Sequence, residues 1–139
     1  MTANDCDLIS ESVFENIDLK IQIFLKLDRV AKQGVILASN TSVFDIDEIA
    51  AITKRPKDVI GPHFFSPAYE MKLHEIVRVA ETADDVAATA MQLAQAINKI
   101  AVLVGVSAGF RGNRVFFPPR DKVRSLFKNA LCCGALMRQ

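Results

Sequence analysis

Val35-Ile-Leu-Ala38, followed directly by Ser39-Asn-Thr-Ser42, is the stretch of sequence that decides the fold. A short apolar run that ends in small polar residues is typical of a parallel β-strand buried on both faces. Apolar residues at helical spacing precede it over Leu19 to Val30, and an acidic turn at Asp45 opens a short helix after it. The stretch therefore predicts a strand inside a layered α/β sheet.

The same alternation continues along the chain. Four further strands are expected at Asp7 to Val13, Val59 to Phe65, Leu73 to Val79 and Ile100 to Val104. One clear helix is expected at Asp84 to Asn98. The order strand, helix, strand, helix, strand, strand, helix, strand argues for a largely parallel α/β sheet. Chemistry in such sheets gathers at the carboxyl ends of the strands, which points to the loops 39–42, 63–66 and 107–113.

The composition excludes several classes of protein. The chain has 139 residues, of which 50% are hydrophobic and 24% charged, so it can bury one core and is not wholly disordered. A net charge of +1 argues against a nucleic-acid partner. The longest uncharged apolar run, Ile100 to Phe110, is too short to span a membrane. Cys6, Cys132 and Cys133 show neither disulfide-framework nor metal-ligand spacing, which favours a reducing compartment and no metal.

The end of the chain differs in charge from the rest. Residues 111–139 form a short basic tail with seven Lys or Arg side chains and one acid, a net charge of +6. Two interpretations stay open: a solvated basic end, or an interaction module that binds an acidic partner.

His63 and Glu75 are the first candidates for chemistry. His63 ends an apolar strand, and histidine is the side chain best suited to acid–base work near neutral pH. Glu75 lies among apolar residues of the next strand, where a carboxylate needs a partner. Adjacent strands could bring the two together. The alternatives are a core histidine bonded to backbone groups and a glutamate on an exposed strand face.

Polar residues in the other two loops are further candidates. Asn40 and Ser42 could bind a ligand or cap the following helix. Asn113 follows Gly112 in a glycine-containing loop and could be a ligand or a turn residue. No G-x-G-x-x-G motif or P-loop occurs, so no phosphate cradle is visible.

Four stretches resemble, in order and spacing, the signature motifs of the L-3-hydroxyacyl-CoA dehydrogenase family. They are Glu11-Ser-Val-Phe-Glu-Asn16 with Lys20, Ser39-Asn-Thr-Ser42, His63-Phe-Phe-Ser-Pro67 with Met71-Lys-Leu-His-Glu75, and Gly109-Phe-Arg-Gly-Asn-Arg114. The His-Phe-Phe-Ser-Pro form is most similar to the multifunctional β-oxidation enzymes. The resemblance covers about residues 5 to 118.

The resemblance implies NAD-dependent oxidation of the 3-hydroxyl of an acyl-CoA to a ketone. It implies that His63 is the catalytic base, that Glu75 orients it, and that Ser42 and Asn113 bind the substrate oxygen and the nicotinamide.

The resemblance also implies a cofactor-binding set. Glu15 and Lys20 match positions that contact NAD in the family. Ser66 stands where many relatives have an asparagine beside the nicotinamide, and Asn40 and Ser42 complete the set.

The family's domain organisation implies that this chain is partial. We expect a Rossmann-type doubly wound sheet without its first βαβ unit over residues 1–110, and the truncated start of a helical domain over residues 111–139. Two hypotheses follow. The chain is an NAD-dependent dehydrogenase, or it is a truncated, non-catalytic fragment that keeps the catalytic loops but lacks the pyrophosphate site. His74, usually aliphatic in the family, is expected to point away from the face of Glu75.

The resemblance sets expectations for partners and location. Acyl-CoA is the expected substrate, while no nucleic acid and no membrane span are expected. An exposed sheet edge would favour self-association or association with other β-oxidation chains. The family works in mitochondria, peroxisomes and bacterial cytoplasm, so the compartment stays open.

Overall fold

The computed structural model describes residues 5–107, 110, 112 and 113. Five strands and three helices alternate along this part of the chain. They are β1 (Leu8–Glu11), α1 (Ile17–Val30), β2 (Ile36–Ser39), α2 (Ile46–Ala51), β3 (Val59–Phe64), β4 (Leu73–Arg78), α3 (Asp84–Ala96) and β5 (Ile100–Gly105). This is the predicted order, and each element lies within a few residues of its predicted position.

The strands form one sheet in the order β1-β2-β3-β4-β5. β1, β2 and β3 are parallel, because α1 and α2 cross back between them. β4 runs antiparallel to β3, since only a loop and no crossover helix joins the two. β5 follows α3 and is again parallel to its neighbour β4. The expectation of a largely parallel α/β sheet is confirmed.

Helices cover the two faces of the sheet. On one face, Leu37, Val59 and Val77 pack in a cluster with Phe24 of α1 and Ile46 of α2. On the other face, the alternate residues of the same strands pack against α3, in a cluster that contains Ile36, Ile60, Ile76, Val86 and Ala90. This is the pattern of strands buried on both sides, as the apolar run in β2 predicts.

A glycine brings α2 close to the sheet. A Cβ atom at Gly61 would lie 2.0 Å from Cδ1 of Ile46, so the isoleucine fills the space that a side chain at position 61 would occupy. Gly61 therefore fixes the distance between α2 and β3, the strand that carries His63.

Side-chain caps set the helix boundaries. Asn16 accepts a hydrogen bond from the Leu19 amide at 3.0 Å, so α1 begins before the apolar periodicity that was used to predict it. Asp45 accepts from the Asp47 amide at 2.8 Å, as expected for the acidic start of α2. α3 ends two residues earlier than predicted, because Asn98 adopts a positive φ of 58° that a helix cannot continue through.

Arg55 joins the C-terminal end of α1 to the loop before β3. Its Nε donates to Oδ1 of Asp28 at 3.0 Å, and its terminal nitrogens donate to the carbonyls of Asp28 at 3.1 Å and Lys32 at 2.7 Å. The Asp28 carbonyl belongs to the last turn of α1, where backbone acceptors lack helical partners, and Lys32 follows the end of this helix. The guanidinium therefore ties together the amino-terminal edge of the sheet, opposite the edge of His63.

Two further findings concern the described residues alone. None of their helices is long and apolar enough to cross a membrane. The basic residues of the tail, together with Cys132 and Cys133, lie outside this part of the chain.

Candidate active site

The predicted polar residues meet at the carboxyl edge of the parallel strands. β1, β2 and β3 end there at Glu11, Ser39 and Phe64. β4 starts at this edge because it runs in the opposite direction, so Glu75 lies near its beginning and beside His63. The turn from parallel to antiparallel pairing therefore places a carboxylate next to the histidine.

His63 and Glu75 form a buried pair. They are directly opposite residues in the β3–β4 ladder, and Nδ1 of His63 lies 3.1 Å from Oε2 of Glu75. The side chains are 3% and 2% exposed. A carboxylate at Nδ1 holds the ring proton on that nitrogen, so Nε2 carries the basic lone pair. The geometry is that of an oriented general base.

The second oxygen of Glu75 reaches a different segment. Oε1 accepts a hydrogen bond from the Gly112 amide at 2.8 Å. Asn113, the next residue, donates from Nδ2 to the carbonyl oxygen of Ser42 at 3.1 Å. The structure thus brings His63, Glu75, Asn113 and Ser42 into one connected cluster, although they come from four separate stretches of sequence.

Aromatic rings enclose the histidine. Its ring lies 4.7 Å from that of Phe65 and 5.3 Å from that of Phe110, measured between centroids. Phe65 also packs on Gly112, where an added Cβ would lie 2.3 Å from the ring. The glycine is therefore needed for the close approach of the Phe65 ring to this loop. These apolar walls strengthen the electrostatic interaction of the buried pair.

Asn40 has a bridging role in the structure. Its side-chain oxygen accepts from the Phe64 amide at 3.0 Å, and its own amide donates to the Glu11 carbonyl at 2.9 Å. It therefore joins the ends of three strands. The capping interpretation for Asn40 and Ser42 is wrong, because α2 is capped by Asp45.

Glu15 holds the loop after β2. Its carboxylate accepts from Oγ1 of Thr41 at 2.9 Å and from the Ser42 amide at 2.6 Å. The side chain is still 37% exposed, so part of it faces solvent beside Ser42.

Lys20, in contrast, is completely buried. Its ammonium lies 2.9 Å from Oε1 of Glu11 and donates to the Val13 carbonyl at 3.3 Å. No role was predicted for Glu11, although a carboxylate among the apolar residues of β1 is the same signal that singled out Glu75.

An open cleft lies at the carboxyl end of β1. It has a volume of about 500 Å³ and is lined by Ser12, Val13, Phe14, Glu15 and Leu19. Phe14 is 88% exposed although it is aromatic. Apolar surface with one carboxylate fits the ring and the ribose hydroxyls of a nucleotide.

Ser66 lies exposed in the loop after β3. Within the described part of the chain, no group of three or more His, Cys, Asp or Glu side chains could hold a metal ion.

His74 lies on the opposite face of the sheet from Glu75, as predicted. It pairs with Phe64 across the strands, and the two rings stack with centroids 3.8 Å apart. Burial lowers the pKa of His74 to about 4, with smaller contributions from the positive charge of Lys99 and from His63 when its ring is protonated. The Pro62 carbonyl opposes this shift. His74 is therefore neutral at pH 7.

Comparison with known protein families shows which family the chain belongs to. Residues 1–107 match the family described as "3-hydroxyacyl-CoA dehydrogenase, NAD binding domain". The chain belongs to this family, as its motifs indicated.

Individual relatives agree. The chain is 47% identical over 124 residues to the peroxisomal bifunctional enzyme of Danio rerio, covering 89% of this chain and 17% of that protein. The structure of (S)-3-hydroxybutyryl-CoA dehydrogenase PaaH1 from Ralstonia eutropha superposes with a TM-score of 0.86 at 35% identity, over 90% of this chain and 44% of that one. The dehydrogenase part of multifunctional enzyme 1 from C. elegans gives a TM-score of 0.70 at 40% identity, over 76% and 24%. The chain thus spans less than a fifth of the length of the bifunctional relative.

Proposed function

We propose that this chain is part of an NAD-dependent L-3-hydroxyacyl-CoA dehydrogenase, which oxidises the 3-hydroxyl of an acyl-CoA to a ketone in fatty-acid β-oxidation. The observation that carries the proposal is the buried His63–Glu75 pair, linked through Gly112 to the contact between Asn113 and Ser42. The names of the relatives support the same reaction.

His63 is the proposed catalytic base. Glu75 fixes its tautomer, so Nε2 accepts the proton of the 3-hydroxyl group. The ring becomes positively charged when it takes this proton, and the carboxylate 3.1 Å away stabilises that charge. The surrounding Phe65 and Phe110 exclude water from the pair.

Ser42 and Asn113 are the proposed substrate-orienting residues. Their mutual hydrogen bond places two polar groups on the loops beside the His63–Glu75 pair. Orientation of the 3-oxygen toward Nε2 of His63 contributes to the rate by fixing the distance for proton transfer.

NAD supplies the hydride acceptor when it is bound. Glu15, with Phe14 and Leu19 in the cleft at the end of β1, would hold it next to Ser42. Asn40 and Ser66 remain proposed members of this cofactor site.

Calorimetric titration of the purified chain with NAD tests the proposal, together with turnover of a 3-hydroxyacyl-CoA. His63→Gln is the matched variant, because it keeps a hydrogen-bonding side chain but removes the base. We expect both proteins to bind NAD equally and only the unmodified chain to turn over. A folded chain that does not bind millimolar NAD would instead support the non-catalytic alternative.

Association with further chains is also proposed. β5 is an edge strand of the described sheet and exposes apolar side chains, with Ile100 60% and Leu103 45% exposed. Apolar edge strands are prone to pair with other chains. Sedimentation of the purified chain over a range of concentrations tests this proposal, and a monomer at every concentration contradicts it.

A further inference from the structure

A buried ion pair lies beneath the cofactor cleft. Lys20 is 0% exposed and the Glu11 side chain 2% exposed. Every oxygen of Glu11 is used: Oε1 accepts from Lys20 at 2.9 Å and from the Val13 amide at 2.6 Å, and Oε2 accepts from Lys20 at 3.2 Å and from Ser39 at 2.8 Å. The pair therefore joins the ends of β1 and β2 to the first turn of α1.

The pair also reaches the loop that carries Ser42. The Lys20 ammonium lies 3.8 Å from Oε2 of Glu15. Glu15 in turn accepts the hydrogen bonds of Thr41 and of the Ser42 amide. The Ser42 carbonyl receives the side chain of Asn113. A continuous series of polar contacts thus runs from Glu11 to the proposed substrate-orienting residues.

Stability does not account for this arrangement. The removal of two charges from water is unfavourable, and apolar replacements of buried pairs are often as stable or more so. What a fully bonded pair does provide is a fixed geometry. The position of the Lys20 ammonium is set by its contacts with Glu11, the Val13 carbonyl and Glu15.

We propose that Lys20 and Glu11 are positioning residues that hold the Glu15 carboxylate, and through it the Ser42 backbone, in place for cofactor and substrate. The resemblance implied a direct contact between Lys20 and NAD, and the structure favours an indirect role. This inference rests on the proposed function for the identity of the ligands, but its test does not require them.

The test compares the Ser42 amide in the unmodified chain and in the double variant Glu11→Gln/Lys20→Met, by nitrogen–proton correlation spectroscopy and hydrogen exchange without ligand. The double variant removes both charges together, so no unpaired charge is left buried. We expect exchange of the Ser42 amide to rise by about tenfold or more, since a charge-assisted hydrogen bond of this length is weakened. Lys32→Met is the matched control, because it removes the exposed pair with Asp7 and should leave Ser42 unchanged.

An unchanged Ser42 amide in the folded double variant would overturn the proposal. If that variant also binds NAD more weakly, Lys20 contacts the cofactor instead. Glu15→Gln provides a second route if the double variant does not fold: it should shift the ammonium signal of Lys20, and an unchanged signal contradicts the coupling. Altered Ser42 exchange in a chain that does not bind NAD would support the non-catalytic alternative and leave this inference standing.

Discussion

His74 and Glu75 are neighbours in one strand and equally buried, but they occupy different environments. Glu75 faces the layer of α1 and α2, where one oxygen meets His63 and the other meets the Gly112 amide. His74 faces the opposite layer and stacks on Phe64. Among the described residues, none forms a hydrogen bond of good geometry with either of its ring nitrogens.

The difference shows that partners, and not burial, decide what a buried ionisable group does. Glu75 is surrounded by donors, so its charge can serve an adjacent imidazole. The environment of His74 supplies aromatic surface, so the ring behaves as an apolar side chain and stays neutral. Four predictions test this contrast, and each changes the environment of either Glu75 or His74.

The substitution Glu75→Gln should have the largest effect. Glutamine can accept from Gly112 and donate to Nδ1 of His63, which keeps the ring in place but moves its proton to Nε2. We expect kcat to fall by about 10²–10⁴-fold with the fold retained. Steady-state kinetics and the nitrogen shifts of His63 measure the two effects. An unchanged tautomer would contradict the role assigned to Glu75.

Acid should destabilise the protein through His74. Its pKa is about 4 in the folded state and 6.5 in the unfolded state, so the unfolded chain binds a proton first as the pH falls. Stability is therefore lost between pH 6.5 and pH 4, by about 3 kcal/mol in full. Chemical denaturation of the unmodified chain and of His74→Leu over this range measures the loss. A constant difference between the two would contradict the prediction.

The substitution Gly112→Ala should disturb only the face of Glu75. The new Cβ would lie 2.3 Å from the Phe65 ring, so the ring or the loop must move. We expect a loss of about 1–3 kcal/mol in the free energy of unfolding. Gly105→Ala is the matched control, because nothing lies within 4 Å of its Cβ position. Equal losses in the free energy of unfolding for the two substitutions would show that the Phe65 ring moves aside without cost.

The smallest expected effect is a change in the environment of His74. Lys99 donates to the carbonyls of Ala68 and Met71, and its charge contributes to the low pKa of His74. Lys99→Gln keeps a donor for these carbonyls and removes the charge. We expect a small rise in the pKa of His74, measured by titration of its ring protons. A fall in this pKa would contradict the assignment.

Much of this site could be predicted from sequence, because it depends on the way side chains alternate between the two faces of a β-strand. His63 at the end of one strand and Glu75 near the start of the next had to meet if the strands were neighbours, and His74 then had to face away. α1 and α3 followed from their apolar periodicity, and α2 followed from the acidic turn at Asp45. Only their ends were misplaced, since capping by Asn16 and the backbone of Asn98 depend on local geometry.

The remainder depends on contacts between distant segments. Nothing in the sequence places Phe65 on Gly112 or the Gly112 amide on Glu75, because the loops that carry them are positioned by tertiary packing. The Glu11–Lys20 pair was also missed. A carboxylate inside an apolar strand gave the necessary signal, but a lysine in a helix is usually solvated, so its burial could not be expected.

Arg55 has a practical consequence for labelling this protein. Because its hydrogen bonds tie α1 to the loop before β3 at the amino-terminal edge, that edge is firmly held and lies at the other end of the strands from His63. A fluorophore or a surface linker attached at the exposed Lys57 would sit on this edge. Such an attachment leaves the carboxyl edge with His63 unobstructed, so immobilised protein could be used to follow ligand binding one molecule at a time.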